Sequence, residues 1–353
     1  MEKEIKSILL LKHYGTGIGD MVRWTASWKS LKEKFPEAKI HMFFWPHKVG
    51  TAGEYLIKNS AYIESLIVEQ RNIRKTKLYS YTTVSSFRSA FKSLREFISK
   101  NKIDLVVDQE IHGLDNSILS IWLRMHGVKT LGVSGYLFKK FFYTYHSISE
   151  KEYAKKFNLT LPLDYTEKDY ISLSYLGINR DGQQIIIQPK PHKKQNIFEF
   201  KDKQLIVGIN IGCGPGLDVK KRPDLKLFSK LITLLVTSGF SVVITGTADE
   251  KKINELVIDC LADSVKNKVI DAAGTTDLPE LLLLISYCDA FISSDSGPFH
   301  LSVGLDVPTI GIFNWHNPSC YHHKSNVRNF VANANADADA GNIICLLSEL
   351  LKD

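Results

Sequence analysis

Short apolar runs rich in β-branched residues alternate with amphipathic stretches along almost the whole chain, and this alternation leaves few folds open. A run of about five apolar residues suits a strand covered on both faces, and the stretches between carry apolar residues at three- and four-residue steps. Strands and helices in turn make parallel βα units, so the expected fold class is α/β. In the first half, residues 7–11, 39–45, 63–68, 103–108 and 128–133 read as strands. In the second half, 205–211, 241–245, 269–270, 290–293 and 308–313 do so, with helices opening near Pro223, Asp249, Leu278 and Pro298.

The two series are separated by a ragged, polar stretch holding Pro189 and Pro191 within PKPHKKQN, the composition of a linker. A chain of 353 residues exceeds what one core usually supports, so two cores are expected. The reading is a Rossmann-like domain over 1–180, a linker over 181–204, a second Rossmann-like domain over 205–340 and a final helix over 341–353 able to return to the first domain. NANADADA at 333–340 reads as a connecting loop. The first helix is well marked: Met21, Trp24, Trp28, Leu31 and Phe35 recur on one side, Arg23, Lys29 and Lys32 fall elsewhere, and Asp20 suits its N-cap.

Composition excludes several classes. Hydrophobic residues at 44% and charged residues at 24% argue against disorder and fibrous architecture. The apolar run before Lys12 is too short for a signal-peptide core or a membrane span, and five scattered cysteines without a CxxC pair give neither a disulfide framework nor a zinc site. A cytoplasmic location follows as the expectation. A net charge of +7 favours an anionic partner. No nucleic-acid-binding module has the required spacing, so nucleic acid is not expected.

Four segments can carry chemistry. GTGIGD places Gly15, Gly17 and Gly19 before Asp20 between the first strand and first helix, where open parallel sheets hold their ligands. It lacks a P-loop lysine and the full dinucleotide spacing; its acid is either a helix cap or a catalytic group. Next, Gly212, Gly214 and Gly216 precede Lys220, Lys221, Arg222 and Pro223, a turn whose amides and cations suit a diphosphate, or a flexible turn with a solvated basic run. In the third, Ser293 to His300 through Asp295, Ser296 and Gly297 joins an apolar strand to a helix, which makes either an anion site or a capped helix start. The fourth is Gly246-Thr247-Ala248-Asp249-Glu250, where an acid can meet ribose hydroxyls or simply open a helix. His316, Cys320, His322 and His323 follow no usual zinc spacing, and no metal site is expected. A further helix over 86–99 sets Phe87, Phe91, Leu94 and Ile98 apart from Arg88, Lys92 and Arg95, so an anionic acceptor or bilayer could dock on its basic side, the alternative being a core-packed helix with a solvated face.

Together the GTGIGD opening, the KKRP turn, GTADE, and DSGPFH followed by LSVGLDVPTIGIF resemble the heptosyltransferases of glycosyltransferase family 9 in order and spacing. That resemblance implies a GT-B enzyme with two Rossmann-like domains facing a central cleft, acceptor on the first and ADP-sugar on the second. It implies Asp20 as catalytic base, with Gly17 and Gly19 in the acceptor-side loop. Lys220 or Lys221 would meet the diphosphate. Asp295, Ser296, Gly297 and His300 would support phosphates and sugar, and Glu250 would face ribose. The family's usual tryptophan in the KxWP-like turn is Arg222 here, and the first-helix proline is absent from DMVRWTASW. The implied reaction is inverting transfer of a sugar, heptose foremost, from a nucleotide-sugar donor to a hydroxyl of a surface glycan or glycolipid such as the lipopolysaccharide core. It needs no cofactor or divalent metal and takes place in the cytoplasm, with peripheral contact at the inner membrane face. Transfer to a protein hydroxyl, a sugar-nucleotide epimerase and a non-catalytic binding protein are the alternatives.

Overall fold

The computed structural model describes residues 5–13, 17–75, 80–111, 114–133, 138–187, 204–213, 222–314, 322, 324–333 and 335–352. The chain divides into two compact units, Met1–Ile185 and Ile186–Asp353. Among the described residues no helix is long and apolar enough to cross a membrane.

In the first unit the elements run β1 (Ser7–Lys12), α1 (Ile18–Lys34), β2 (Lys39–Phe44), α2 (Ala52–Lys58), β3 (Ser65–Val68), a small antiparallel hairpin of β4 (Ile73–Lys75) and β5 (Ser80–Thr82), α3 (Val84–Asn101), β6 (Leu105–Asp108), α4 (Asp115–Met125), β7 (Lys129–Val133), β8 (Tyr145–Ser147), α5 (Glu150–Lys156) and α6 (Tyr165–Lys168). The parallel sheet has the order β3-β2-β1-β6-β7-β8. The second unit continues with β9 (Ile206–Asn210), α7 (Leu225–Thr237), β10 (Ser241–Thr245), α8 (Lys251–Asp259), α9 (Asp263–Lys266), β11 (Val269–Asp271), α10 (Leu278–Ser286), β12 (Ala290–Ser294), α11 (Gly297–Gly304), β13 (Thr309–Phe313), β14 (Val327–Val331) and α12 (Ala336–Leu350). Its sheet repeats the arrangement as β11-β10-β9-β12-β13-β14.

Each sheet is therefore wound outward in both directions from its own first strand. The two central strands, β1 with β6 and β9 with β12, send their following segments to opposite sides, which opens a crevice at their carboxyl ends. The entry to the first strand is fixed in the same way in both units. Asp104, just before β6, accepts the amides of Lys6 and Ser7 at 2.9 and 3.0 Å; Asp289, just before β12, accepts that of Ile206 at 2.7 Å.

Burial accounts for the order. Every residue of β1 is buried, and α1 covers the sheet with Met21, Trp24, Trp28 and Leu31. On the other face α3 adds Ala90 and Leu94, with Phe87, Phe91 and Ile98 partly buried against the same core. The apolar side of α3 is thus inside, and Arg88, Lys92 and Arg95 stand in solvent. In the second unit α7 and α12 pack on one another. The final helix, for which a return to the first domain was one expectation, sets Ala340, Ile343, Leu347 and Leu350 into the core of the second unit. A buried Leu or Ile in such a position is worth about 2–5 kcal/mol against alanine, which is what holds α12 there.

Candidate functional site

In the first unit the chain leaves β1 through His13 and reaches α1 from Gly17. Gly17 is the N-cap, with extended backbone (φ −70°, ψ 166°) and no side-chain cap hydrogen bond. The expectation that Asp20 caps this helix is corrected. Ile18 and Gly19 already belong to the first turn, since a glycine cap needs no side chain, and Asp20 is the third helical residue. Its carboxylate bends back toward the bare cap, 3.5 Å from where a Cβ on Gly17 would lie. The side chain is 37% exposed, and its Oδ1 stands 3.7 Å from a guanidinium nitrogen of Arg23.

Arg23 is held from behind. Its Nε donates to Asp169 Oδ2 at 2.7 Å. Burial opposes the charge on Arg23, yet Asp169 and then Asp20 keep its pKa above the ordinary guanidinium value. Burial likewise pushes Asp169 up to about 6, against the pull of Arg23 and Lys12. A half-open carboxylate beside a cation that cannot swing away is the geometry a general base requires: reach to a substrate proton and a fixed position.

Beneath this pair lies a buried polar layer. Lys12 Nζ is 3.3 Å from Glu110 Oε1 and 4.0 Å from the centre of the Trp24 ring. Glu110 also accepts the His13 amide at 3.1 Å, and its other oxygen is 3.1 Å from His13 Nδ1. Lys139 donates to the carbonyls of Glu110 and Ile111 at 3.0 and 3.2 Å. Asp108 accepts the Glu110 amide, Asn116 Nδ2 and the Tyr143 hydroxyl at 3.0, 3.0 and 2.5 Å. Buried ion pairs need such additional hydrogen bonds to offset desolvation. The layer fixes the segment after β6 relative to the one after β1.

The second unit makes its own strand-end site. Asn210, at the end of β9, donates to the Gly212 carbonyl at 2.8 Å and to Ser296 Oγ at 2.9 Å. Ser294, at the end of β12, donates to the same Gly212 carbonyl at 2.6 Å. Ser296 is the N-cap of α11, but its side chain makes no cap hydrogen bond; it is engaged with Asn210, Ser293 and the Ser294 carbonyl. Gly297 opens α11 immediately after Ser296, at a helix start where the dipole favours negative charge.

Glu250 closes a capping box. Its Oε2 accepts the Thr247 amide at 2.8 Å and the Thr247 hydroxyl at 3.0 Å. The rest of the carboxylate fills the space over Gly212, where a Cβ would come within 1.9 Å of Oε1. Only glycine fits there, and this contact joins the GTADE segment to the glycine turn after β9. His300, one turn into α11, has its Nδ1 2.7 Å from Nε2 of His322, with the rings nearly perpendicular. Among the described residues no group of three or more His, Cys, Asp or Glu side chains is placed to hold a metal ion. Gly15, Gly214, Gly216, Lys220, Lys221, His316, Cys320 and His323 lie outside the described residues.

The sequence profile of glycosyltransferase family 9 (heptosyltransferase) matches residues 168–342, from Asp169 beside the candidate base through both strand-end loops of the second unit. The chain belongs to this family. Lipopolysaccharide heptosyltransferase 3 of Escherichia coli is similar at 24% identity over 302 residues, 84% of this chain and 80% of its own length. Lipooligosaccharide heptosyltransferase 2 of Campylobacter jejuni is 32% identical over 123 residues, 34% of this chain and 37% of its own. Among solved structures, the family 9 glycosyltransferase of Veillonella parvula has a TM-score of 0.72 at 19% identity, covering 99% of this chain and 98% of the other. The ADP-heptose lipopolysaccharide heptosyltransferase II of E. coli has 0.68 at 16%, covering 98% of each. The protein is a glycosyltransferase of the GT-B fold.

Within this glycosyltransferase the sequence singled out Asp20, Gly17 and Gly19 together, and they meet at one helix start. It also named Gly212, Glu250, Asp295, Ser296, Gly297 and His300, which sit around the ends of β9, β10 and β12. Arg23 and Asp169 were not foreseen as partners. They are 146 residues apart, and the one local signal is an arginine three positions after the acid. Asn210 was missed because it ends a strand without a motif, and His322 was weighed only as a metal ligand.

Proposed function

We propose that this enzyme transfers heptose from ADP-heptose to a hydroxyl of a bacterial surface glycan or glycolipid of the lipopolysaccharide-core class, in the cytoplasm, by inverting single displacement without a divalent metal. Asp20 takes the proton of the acceptor hydroxyl as that oxygen attacks the anomeric carbon. The glycosidic bond forms as the bond to the departing ADP breaks. Negative charge growing on the diphosphate is met by the positive end of the α11 dipole with Ser296 and Gly297, and by the lysines of the KKRP turn, Lys220 and Lys221. Asp295 and His300 orient the sugar and phosphates, and Glu250 lies toward the ribose.

The observation that carries this reading is Asp20 itself: uncapped, partly open and flanked by an anchored guanidinium. Two relatives add chemistry to it. The E. coli protein similar over most of the chain is named a lipopolysaccharide heptosyltransferase, and an E. coli heptosyltransferase of similar fold was solved with ADP and with ADP-2-deoxy-2-fluoro heptose.

A thermal-shift comparison of ADP, UDP, GDP and CMP tests the donor class, since a ligand at about 100 times its Kd adds about 2.7 kcal/mol to the folded state. ADP alone should raise the melting temperature. Incubation with ADP-heptose and a lipopolysaccharide-core acceptor should then release ADP and give a product of inverted anomeric configuration by NMR. A shift with UDP and not ADP, or an epimerised sugar formed without acceptor, overturns the proposal.

A further inference from the structure

A buried imidazole has to find a partner for each ring nitrogen that faces the interior. His322, only 5% exposed, lies on the approach to β14. It meets its partner on α11, where its Nε2 stands 2.7 Å from Nδ1 of the half-buried His300. The contact is a hydrogen bond and not a shared metal, since two imidazole nitrogens on one tetrahedral zinc stand about 3.3 Å apart. Phe299, fully buried and edge-on to Phe313, lies against both rings, at 5.2 Å from His300 and 5.6 Å from His322 between ring centres.

The same approach segment is fastened along α11. Lys324 donates to the Val303 carbonyl at 3.0 Å and to Asp306 Oδ1 at 2.9 Å, and Asn326 donates to the Asp306 carbonyl at 3.0 Å. His322 therefore reaches His300 from a backbone tied to the far end of the same helix. At the near end, Ser296 precedes His300 by four residues, which sets the two on one side of α11. Ser296 is in turn bonded to Asn210 at the end of β9.

We infer that His322 is a positioning residue of the donor site: it donates from Nε2 to His300 Nδ1 and so leaves the hydrogen of the His300 ring on Nε2, where it meets an oxygen of the nucleotide-sugar diphosphate. The inference rests on the donor reading above. Chemistry selects this arrangement over its reverse. Ionised diphosphate oxygens accept and do not donate, so a neutral His300 serves them only in its Nε2–H form. In that form its Nδ1 is an acceptor and requires a donor, which the facing nitrogen of His322 supplies. A second proton would also make His300 a donor, but the α11 dipole opposes positive charge on a ring at its start. The reverse bond, from His300 Nδ1–H to His322, would leave a lone pair for the diphosphate.

Long-range proton–nitrogen NMR on the wild-type chain reads the tautomer with no variant and no ligand, and should show the hydrogen on Nε2 in both His300 and His322. Calorimetric titration with ADP should then give a Kd at least about tenfold weaker for His322→Leu, the size of one hydrogen bond to a charged group. His322→Gln, whose amide nitrogen can replace Nε2, should stay near wild type. In a His300→Ala background, His322→Leu should cost nothing further, which a residue acting only on stability would not produce. With ADP-heptose as donor, His322→Leu should raise the donor KM about tenfold and leave the acceptor KM unchanged. His300 carrying its hydrogen on Nδ1, wild-type ADP affinity in His322→Leu, or an equal loss with His300 absent would each overturn the inference. A wild-type chain that binds UDP and not ADP would overturn the donor reading alone, and the same variants titrated with UDP would still judge the pair.

Discussion

Replacing Asp169 by asparagine should make the enzyme more stable and less active. In the fold burial raises this carboxyl to about 6, against an ordinary value of 3.8. The fold therefore favours the proton-bound form, and between those pH values the folded chain holds more protons than the unfolded chain. Stability from this group is present below about pH 4 and lost as pH rises through about 6. The loss has a ceiling of about 3 kcal/mol once Asp169 is fully ionised. Asparagine does not titrate, so wild type and Asp169→Asn should match near pH 4 and diverge above pH 6, with the variant ahead by up to about 3 kcal/mol. Urea unfolding followed by tryptophan fluorescence is a suited assay, since Trp24, Trp28, Trp45 and Trp122 lie in the first unit. Turnover should move the other way: without its 2.7 Å ionic partner Arg23 is no longer fixed beside Asp20, at a cost on the order of tenfold in kcat. A variant less stable than wild type at pH 7, or a stability difference that does not change with pH, would show that the Arg23–Asp169 pair is net stabilising and refute the linkage.

Asp20→Asn should lower turnover by about 10² to 10⁴ while leaving the ADP-induced thermal shift mostly intact; wild-type turnover in this variant would reduce Asp20 to a structural residue. Gly212→Ala would place a Cβ 1.9 Å from Glu250 Oε1, so the capping box must open. A destabilisation of about 1–3 kcal/mol is expected together with loss of the ADP shift, and an unchanged melting temperature with a normal ADP response would contradict the packing. EDTA should leave the transfer rate unchanged; a rate abolished by chelator and restored by magnesium or manganese would require a metal in the reaction.

The central strands of both units were readable because they are apolar from end to end, and β1 and β12 are buried at every residue. The edge strands were not. β14 reads Val-Arg-Asn-Phe-Val and lies half in solvent, while β8 has only three residues, so neither forms an apolar run. The start of α1 was misjudged by a few positions for a related reason: a capping acid and a first-turn acid look alike in sequence, and the bare Gly17 decides between them only once the backbone is seen. Loop segments rich in glycine and acid were legible as strand-to-helix turns at the carboxyl ends of the central strands, where open sheets hold ligands. Their supports were not, since Lys12–Glu110, Arg23–Asp169 and Asn210–Ser296 join residues 98, 146 and 86 positions apart, and no local pattern records a pairing at that range.

The winding of each sheet from its middle has an evolutionary corollary. The segments that would meet substrate hang from the innermost strands, the stiffest part of either unit, so their roots stay put whatever happens at their tips. Side chains at those tips can then be exchanged one at a time without disturbing the frame. A lineage built this way can retarget its chemistry while its shape endures, which fits a chain only 24% identical to a relative it follows over 302 residues.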